Sequence, residues 1–446
     1  MKFIKAYKYN VITFFIAVIC LGCAHKIVAG ESGAKDKKVK LSDEELLEKV
    51  QKQTFKYFWD FAESNTGMAH ERSTSKKGRK QRVTSGGTGL GLAAFPIAVE
   101  RGWKTRAQVL TRLEKMLSFL ENTDTFHGAY AHWYSGTSKR AVRFSKHDDG
   151  GDIIETAFLI EGLLINRQYF NKDTKREQNL RNRINKIWDA VEWDWYVQPG
   201  DDILTWHWSP NYGFQKNHKI KGHHEGQIAY ILAASSNTHS IPASVYHNGW
   251  AQKGSIVKDR NHYGYDLPLG PKFGGPLFFT HYSYLGLNPK LLEDKYANYW
   301  TQNVNHSKIN YTYCVENPKG YKGYGENCWG LTASDGNNGY SAHSPTNDRG
   351  VITPTAALSS FPYTPKESMK ALRFFYEELG DKIWGDYGFT DAFNLQENWY
   401  DYQYLAIDQA PIIVMIENHR TGLIWDLFMS CPEINKGLEK LGFAKL

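Results

Sequence analysis

Three stretches of small and apolar residues constrain the fold more than anything else in the chain: Gly86–Gly102 (GGTGLGLAAFPIAVERG), Asp152–Leu164 (DIIETAFLIEGLL) and Glu225–Ser235 (EGQIAYILAAS). In the second, Ile153, Ile154, Ala157, Phe158, Ile160, Leu163 and Leu164 follow a 3.6-residue period. Helices this apolar, with Gly and Ala allowing close approach, must be enclosed by other helices. Charged amphipathic segments alternate with them, for example Thr174–Trp193 and Lys366–Leu379. Further helices are predicted over Ser42–Glu63, Lys104–Glu121, Pro276–Leu285, Leu291–Asn305, Asn327–Ala333, Thr353–Ser360, Ala406–Asn418, Leu423–Met429 and Ile434–Leu441. WHWSPNYGF and YGYDLPLG read as loops or small hairpins. The expected fold class is therefore all-α, an α/α toroid with small-residue helices inside, amphipathic helices outside and long loops forming the active-site face at one end. No fixed repeat period supports a solenoid, and no Pro- or Ser-rich linker interrupts the chain after residue 40, so 41–446 reads as one domain.

The first 40 residues are of another kind. Lys2, Lys5 and Lys8 precede a short apolar run from Val11 to Leu21, the pattern of an export signal over 1–22. Leu21-Gly22-Cys23 resembles a lipobox, which would make Cys23 the lipidated first residue of a mature lipoprotein; an ordinary secretory signal is the plainer alternative. So short a run is a poor membrane span. Residues 23–40 are polar and suit a flexible tether. The expected location is periplasmic or outer-membrane-anchored, with membrane contact only through the lipid, and the expected state is monomeric. Removing 1–22 removes three lysines and no acids, so the net charge falls from +7 to +4. That is mild, and no Lys/Arg block suggests nucleic acid. Cys314, Cys328 and Cys431 show no CxxC or zinc spacing and read as structural, although Cys314 and Cys328 could close a small loop.

Lys146–Leu164 holds the densest chemistry. Asp148, Asp149 and Asp152 surround a Gly-Gly pair just ahead of a helix. Asp152 suits an N-cap, with Glu155 its capping-box partner. Helix punctuation does not account for Asp148 and Asp149, and clustered acids are usually kept for a metal, a proton transfer or a polar ligand. Glu225 likewise begins a small-residue helix, where an acid is also favourable simply through the helix dipole. In a toroid both starts could share one face. Aromatic residues make up 14% of the chain, many of them in polar, Gly-rich loops, which suits stacking on pyranose rings. Candidate sugar contacts are Trp206, Trp208 and Tyr212 in LTWHWSPNYGF, His281 in GGPLFFTHYSY, Glu326, Trp329 and Asp335 in YGENCWGLTASD, and Asp391 with Asn394 in GFTDAFN. Glycoside hydrolysis needs a carboxylic acid to protonate the leaving oxygen and a carboxylate to activate water or attack the sugar. His147, His223 and His224 flank the acids, so a Tyr/His lyase or a His/Asp metal site stays open, without HExxH-type spacing.

Several of these motifs carry a resemblance. GGTGLGLAAFPIAVERG, the D-x-G-G-D-I-I-E-T-A-F-L run, HEGQIAYILAASS, GGPLFFTHYSYLG and NWYDYQYLAIDQAPIIVMIEN together make most of the mature chain similar to the bacterial endo-β-1,2-glucanases of glycoside hydrolase family 144, a glucoamylase-like group. The resemblance implies an (α/α)6 barrel that cleaves linear β-1,2-glucan internally to sophorose and short oligosaccharides, with anomeric inversion and without metal or cofactor. Position by position, its candidate catalytic acids fall on Asp148, Asp152 and Glu225, with acid and base roles unassigned. A glycosidase of this fold acting on another glucan, or a non-catalytic glycan-binding lipoprotein, would share the aromatic loops; the latter has no need for three clustered acids.

Overall fold

The small-residue helices do become the inner wall of a ring. The computed structural model describes residues 40–74 and 82–444; the export signal and Cys23 lie outside the described residues. Ser42 opens α1 (Asp43–Trp59) with a complete capping box to Glu45. Then come α2 (Ser85–Leu92), α3 (Ala94–Glu100), α4 (Arg106–Leu120), α5 (Ile153–Tyr169), α6 (Lys175–Asp189), α7 (Gln227–Ser235) and the short α8 (Ala243–Val245). The chain continues through α9 (Tyr299–Glu316), α10 (Pro354–Leu358), α11 (Pro365–Arg373), α12 (Gly380–Ile383), α13 (Ala406–Arg420), α14 (Leu423–Met429) and α15 (Pro432–Leu441).

Every residue of α2, α7 and α10 is buried, and α5 and α13 are buried along nearly their whole lengths. α2 packs on α5, α5 on α7, α10 on α13 and α13 on α2. The segment Leu277–Leu285 completes the circle: Ser283 Oγ accepts from Ile228 N, Tyr284 OH donates to Gln227, and Tyr363 OH donates to the Thr280 carbonyl. Helices with one buried face lie outside: α1 against α13, α6 against α5, and α11 against α10. The result is an all-α toroid.

Glycine sets the spacing of the inner wall. A Cβ on Gly89 would sit 2.2 Å from the Phe158 carbonyl oxygen, and one on Gly162 would sit 2.0 Å from the Gly89 oxygen. Only hydrogen fits between α2 and α5. At the mouth, two-residue antiparallel pairings stitch together the segments that lead into the inner helices. Val83–Thr84, ahead of α2, pairs with Trp133–Tyr134, and Gly151–Asp152, ahead of α5, pairs with His207–Trp208. Ile352 bridges to Phe393 and Leu405 to Arg72. Those loops form one rim.

Three predicted elements need correction. The helix expected over Leu291–Asn305 runs over Tyr299–Glu316 instead. It starts where Asn298 accepts from Thr301 N and ends at left-handed Asn317, and its buried face carries Gln302, Asn303, His306 and Asn310, which hide the apolar period. Asn327–Ala333 is not helical; Gly325 and Cys328 form a bridge, and Ala333–Ser334 pairs with Ser341–Ala342. Pro276–Leu285 holds a 3₁₀ turn over Leu277–Thr280, because positive φ at Gly274 and Gly275 and the proline delay any regular helix. Cys314, Cys328 and Cys431 are buried free thiols.

Gly89→Ala should force α2 and α5 apart, costing about 1–3 kcal/mol as an overpacked core does. Thermal unfolding of the purified protein should show a lowered midpoint; an unchanged midpoint would contradict this packing.

Candidate active site

Asp152 is the N-cap of α5. Its Oδ1 accepts from Ile154 N (3.0 Å), Glu155 N (3.0 Å) and Trp206 Nε1 (2.8 Å). Its Oδ2 lies 3.4 Å from His132 Nδ1 and 3.6 Å from His207 Nε2. Asp148 sits beside it, with Oδ2 at 3.0 Å from Lys216 Nζ and 3.2 Å from His207 Nε2. Burial would raise the Asp148 carboxyl, but His207 and Lys216 outweigh it and hold it at about 2. Asp148 is therefore a fixed negative charge at neutral pH.

Glu155 is not the capping-box partner that its spacing suggests. Its side chain turns toward α2, where Oε2 accepts from Gly86 N at 2.8 Å. A Cβ at Gly86 would meet that oxygen at 2.5 Å, so the glycine makes the contact possible. Oε1 lies 3.6 Å from His132 Nε2. Burial pushes the Glu155 carboxyl up to about 7 against the pull of His132, with the Asp152 charge adding to the rise. Burial disfavours charge on His132, but Glu155 and Asp152 prevail and raise it to about 9. His132 thus bridges Asp152 and a protonatable Glu155.

Glu155 and His132 open into a cavity of about 640 Å³, within the usual range for small-molecule sites. A second acid cluster reaches the same cavity through Asp335 and Asp401. Asp335 Oδ2 is 2.8 Å from Arg72 Nη1, and its backbone N donates to Asp391 Oδ2 at 2.7 Å. Asp408 Oδ1 accepts from Tyr282 OH at 3.0 Å. Burial and the neighbouring charges of Asp408 and Asp335 push Asp391 far up; burial and Asp335 lift Asp401 to about 6. Trp133, Phe144, Tyr340, Trp399 and Tyr402 supply aromatic wall, with Tyr402 72% and Tyr340 55% exposed. Two triads, His132/Asp148/Asp152 and Asp335/Asp391/Asp401, bring one ligand atom each to within 4.8 Å of one another and so could hold a cation. In the first, Asp148 is already paired with Lys216 and His207, and in the second, Asp335 with Arg72.

The structure thus unites Asp148, Asp152 and Trp206 in one cluster, and Asp335 with Asp391 in the other. Trp206 stacks on His218 (4.8 Å) and His224 (6.0 Å), and His224 Nδ1 is 3.1 Å from Glu225 Oε2. Glu225 is joined to the Asp152 cluster through that stack and, like Asp148, Asp152 and Trp206, does not line the 640 Å³ cavity. Tyr212 packs on His147, while Trp208 turns to the opposite side, against His127. Asn394 is buried and caps the turn at Gln396 and Glu397. Three further expected sugar contacts also lie elsewhere. His281 is buried in the inner ring on Ser360, and Trp329 is a core residue donating to the Glu367 carbonyl, so each buried ring has a hydrogen-bonded polar atom. Glu326 pairs with Lys370 at the exposed surface. Sequence reading passed over His132, Arg72, Asp401 and Asp408. The last two stand in NWYDYQYLAIDQAP, where acids among aromatics were the available signal.

Comparison with known proteins gives consistent relatives. The Glycoamylase family model matches residues 217–432. An endo-β-1,2-glucanase from Chitinophaga pinensis, solved with sophorotriose and glucose, is 52% identical, with a TM-score of 0.89 over 91% of this chain and 99% of that one. An exo β-1,2-glucooligosaccharide sophorohydrolase (non-reducing end) from Parabacteroides distasonis is 45% identical over 426 residues. The aligned region is 91% of this chain and 59% of that protein, so the chain spans under two thirds of that relative's length. A β-1,2-glucanase structure from Parabacteroides distasonis is 44% identical, with a TM-score of 0.87, over 90% of this chain and 60% of that one.

The site lies beside strongly buried histidines. Burial lowers His223 to about 3, with His306 and His224 adding, and lowers His281 to about 3 and His306 to about 4. Their folded values lie below the ordinary 6.5, so the neutral form is favoured on folding. That stability is present in full above pH 6.5 and is lost as pH falls toward 4 and then 3. The unfolding midpoint should therefore drop between pH 6.5 and 4. His223→Phe should flatten the drop, since neither ring nitrogen has a hydrogen-bond partner among the described residues; an identical pH profile for the variant would refute this assignment.

Proposed function

Because the chain belongs to the bacterial endo-β-1,2-glucanase family, we propose that it is a glycoside hydrolase that cuts β-1,2-glucan internally, with inversion, to sophorose and short oligosaccharides. The observation that carries the reading is a cavity walled by aromatic rings in which Glu155, at about 7, shares the space with Asp335 and Asp401. A carboxyl raised by burial can stay protonated near neutral pH and deliver its proton to the departing glycosidic oxygen. A carboxylate of the Asp335/Asp401 cluster then takes a proton from the water that attacks the anomeric carbon, and the C1–O bond breaks. Asp152 and Asp148 hold His132, His207 and Lys216 in place, and with them the electrostatics around Glu155. Glu225 is joined to this cluster through the Trp206–His224 stack. Export as a lipoprotein through Cys23, to the periplasm or the outer membrane, is part of the same proposal.

A second reading, release of sophorose from the non-reducing end, is favoured by the exo-acting Parabacteroides relative. Product sizing on linear β-1,2-glucan separates the two: mixed oligosaccharides at early times mark endo cleavage, and sophorose alone marks exo. The anomer of the first product reports inversion or retention. No cleavage of β-1,2-glucan at all would overturn the substrate assignment.

Glu155→Gln should lower kcat on β-1,2-glucan by about 10²–10⁴-fold, the usual range for losing a general acid. Because the acid must carry its proton, wild-type kcat should fall as pH rises through about 7. If Glu155→Gln kept full activity while Asp152→Asn and Glu225→Gln lost it, the acid role would move to those residues. Full activity in all three would discard the site.

A further inference from the structure

A second aromatic cavity lies on the outer side of the strand that carries His207. Along His207–Trp208 successive side chains point to opposite faces. His207 faces Asp148 and Asp152, while Trp208 faces away and meets the His127 ring at 4.8 Å, edge to face. His127 in turn lies flat on Trp195, with ring centroids 3.7 Å apart and planes 12° from parallel. Its placement is forced. His127 has φ +52° and Gly128 φ +71°, the left-handed pair of a tight two-residue hairpin loop, and a Cβ at Gly128 would strike the Ala190 carbonyl. His127 Nδ1 is 3.0 Å from Glu192 Oε2. A non-glycine residue in the left-handed region holds this imidazole against the indole.

Trp195 nevertheless remains 42% exposed. It lines a cavity of about 390 Å³ with Glu192, Asp194, Phe214 and His239, among others, and this cavity shares no lining residue with the one at Glu155. Asp194 Oδ1 is 3.1 Å from His239 Nδ1, and its side chain is 56% exposed. A rigid, flat, half-exposed indole beside carboxylates and an imidazole offers an apolar plate and ionic acceptors side by side. A pyranose presents that complement, with axial C–H bonds on its face and hydroxyls on its edge. The volume suits a small ligand, and the apolar plate is too small for a protein interface.

We propose that Trp195, backed by His127 and flanked by Glu192, Asp194 and His239, is a secondary binding platform for a glucan strand, separate from the cleavage cavity. The identity of the glucan rests on the hydrolase reading above; the platform itself rests on the stacked geometry. It holds long substrate at the surface of the ring and contributes nothing to bond cleavage.

The test compares the wild-type full chain with Trp195→Ala and Trp195→Phe by migration in native gels containing linear β-1,2-glucan, alongside kinetics on polymer and on short β-1,2-oligosaccharides. Trp195→Ala should weaken the retardation, leaving only what the cleavage cavity contributes, and raise KM for the polymer at least about threefold, as expected for losing one aromatic contact. It should keep kcat/KM on short substrates within twofold, and Trp195→Phe should restore most of the retardation. Unchanged migration and polymer KM in Trp195→Ala, with cleavage intact, would overturn the platform and leave the hydrolase reading standing. A wild-type chain that is retarded through Trp195 but cleaves nothing would do the reverse. Wild-type migration unaffected by the glucan would also overturn the platform.

Discussion

The site depends on the hydrogen bonds to one carboxylate oxygen, Asp152 Oδ1. Two of its donors are the first free N–H groups of α5 and the third is the Trp206 indole. An unsatisfied helix terminus in a buried setting would be costly, so the cap is required simply to end α5 at this depth. Recruiting Trp206 to the same oxygen ties the segment that leads into His207–Trp208 to the helix. The other oxygen is left to face His132 and His207. One side chain thus anchors a helix, positions a loop and helps hold a charge on the His132 imidazole.

From that anchor the two acid clusters take on different characters. Asp148 has a lysine and an imidazole and remains charged, whereas Glu155, one turn into the helix, has a backbone N–H and a shared His132 and is lifted toward neutrality. Carboxylates so close together cannot all ionise freely, and the partners decide which one yields. On the other part of the cavity wall Arg72 stabilises Asp335 and leaves Asp391 and Asp408 to crowd one another in the interior. Glycine at 86 and 89 is what lets the wall be this thin: the first admits the Glu155 carboxylate, the second the backbone of α5.

The toroid was legible because small-residue, all-round apolar helices can be accommodated only inside other helices, and α2, α5 and α7 carry that signature directly. Asp152 as N-cap followed from local spacing as well. Local spacing misled at Glu155, where the capping-box pattern is present but the side chain finds a better donor on another helix. It misleads again at His281 and Trp329, whose polar, Gly-rich neighbours suggest sugar contacts although their rings lie in the core. The helix Tyr299–Glu316 was displaced in the reading because its buried face is amide-rich and shows no apolar period.

The sequence by itself determined the helical class, the inner and outer sorting of the helices, the cap at Asp152 and the family, because these depend on periodicity and on residues close together in the chain. Tertiary structure alone decided which acids share a cavity. Glu155 meets His132 across 23 positions and Asp335 meets Arg72 across 263, through short pairings between loops that carry no periodic signal. Protonation follows burial and such long-range partners, so the acid that holds a proton at neutral pH can be read only from the folded ring.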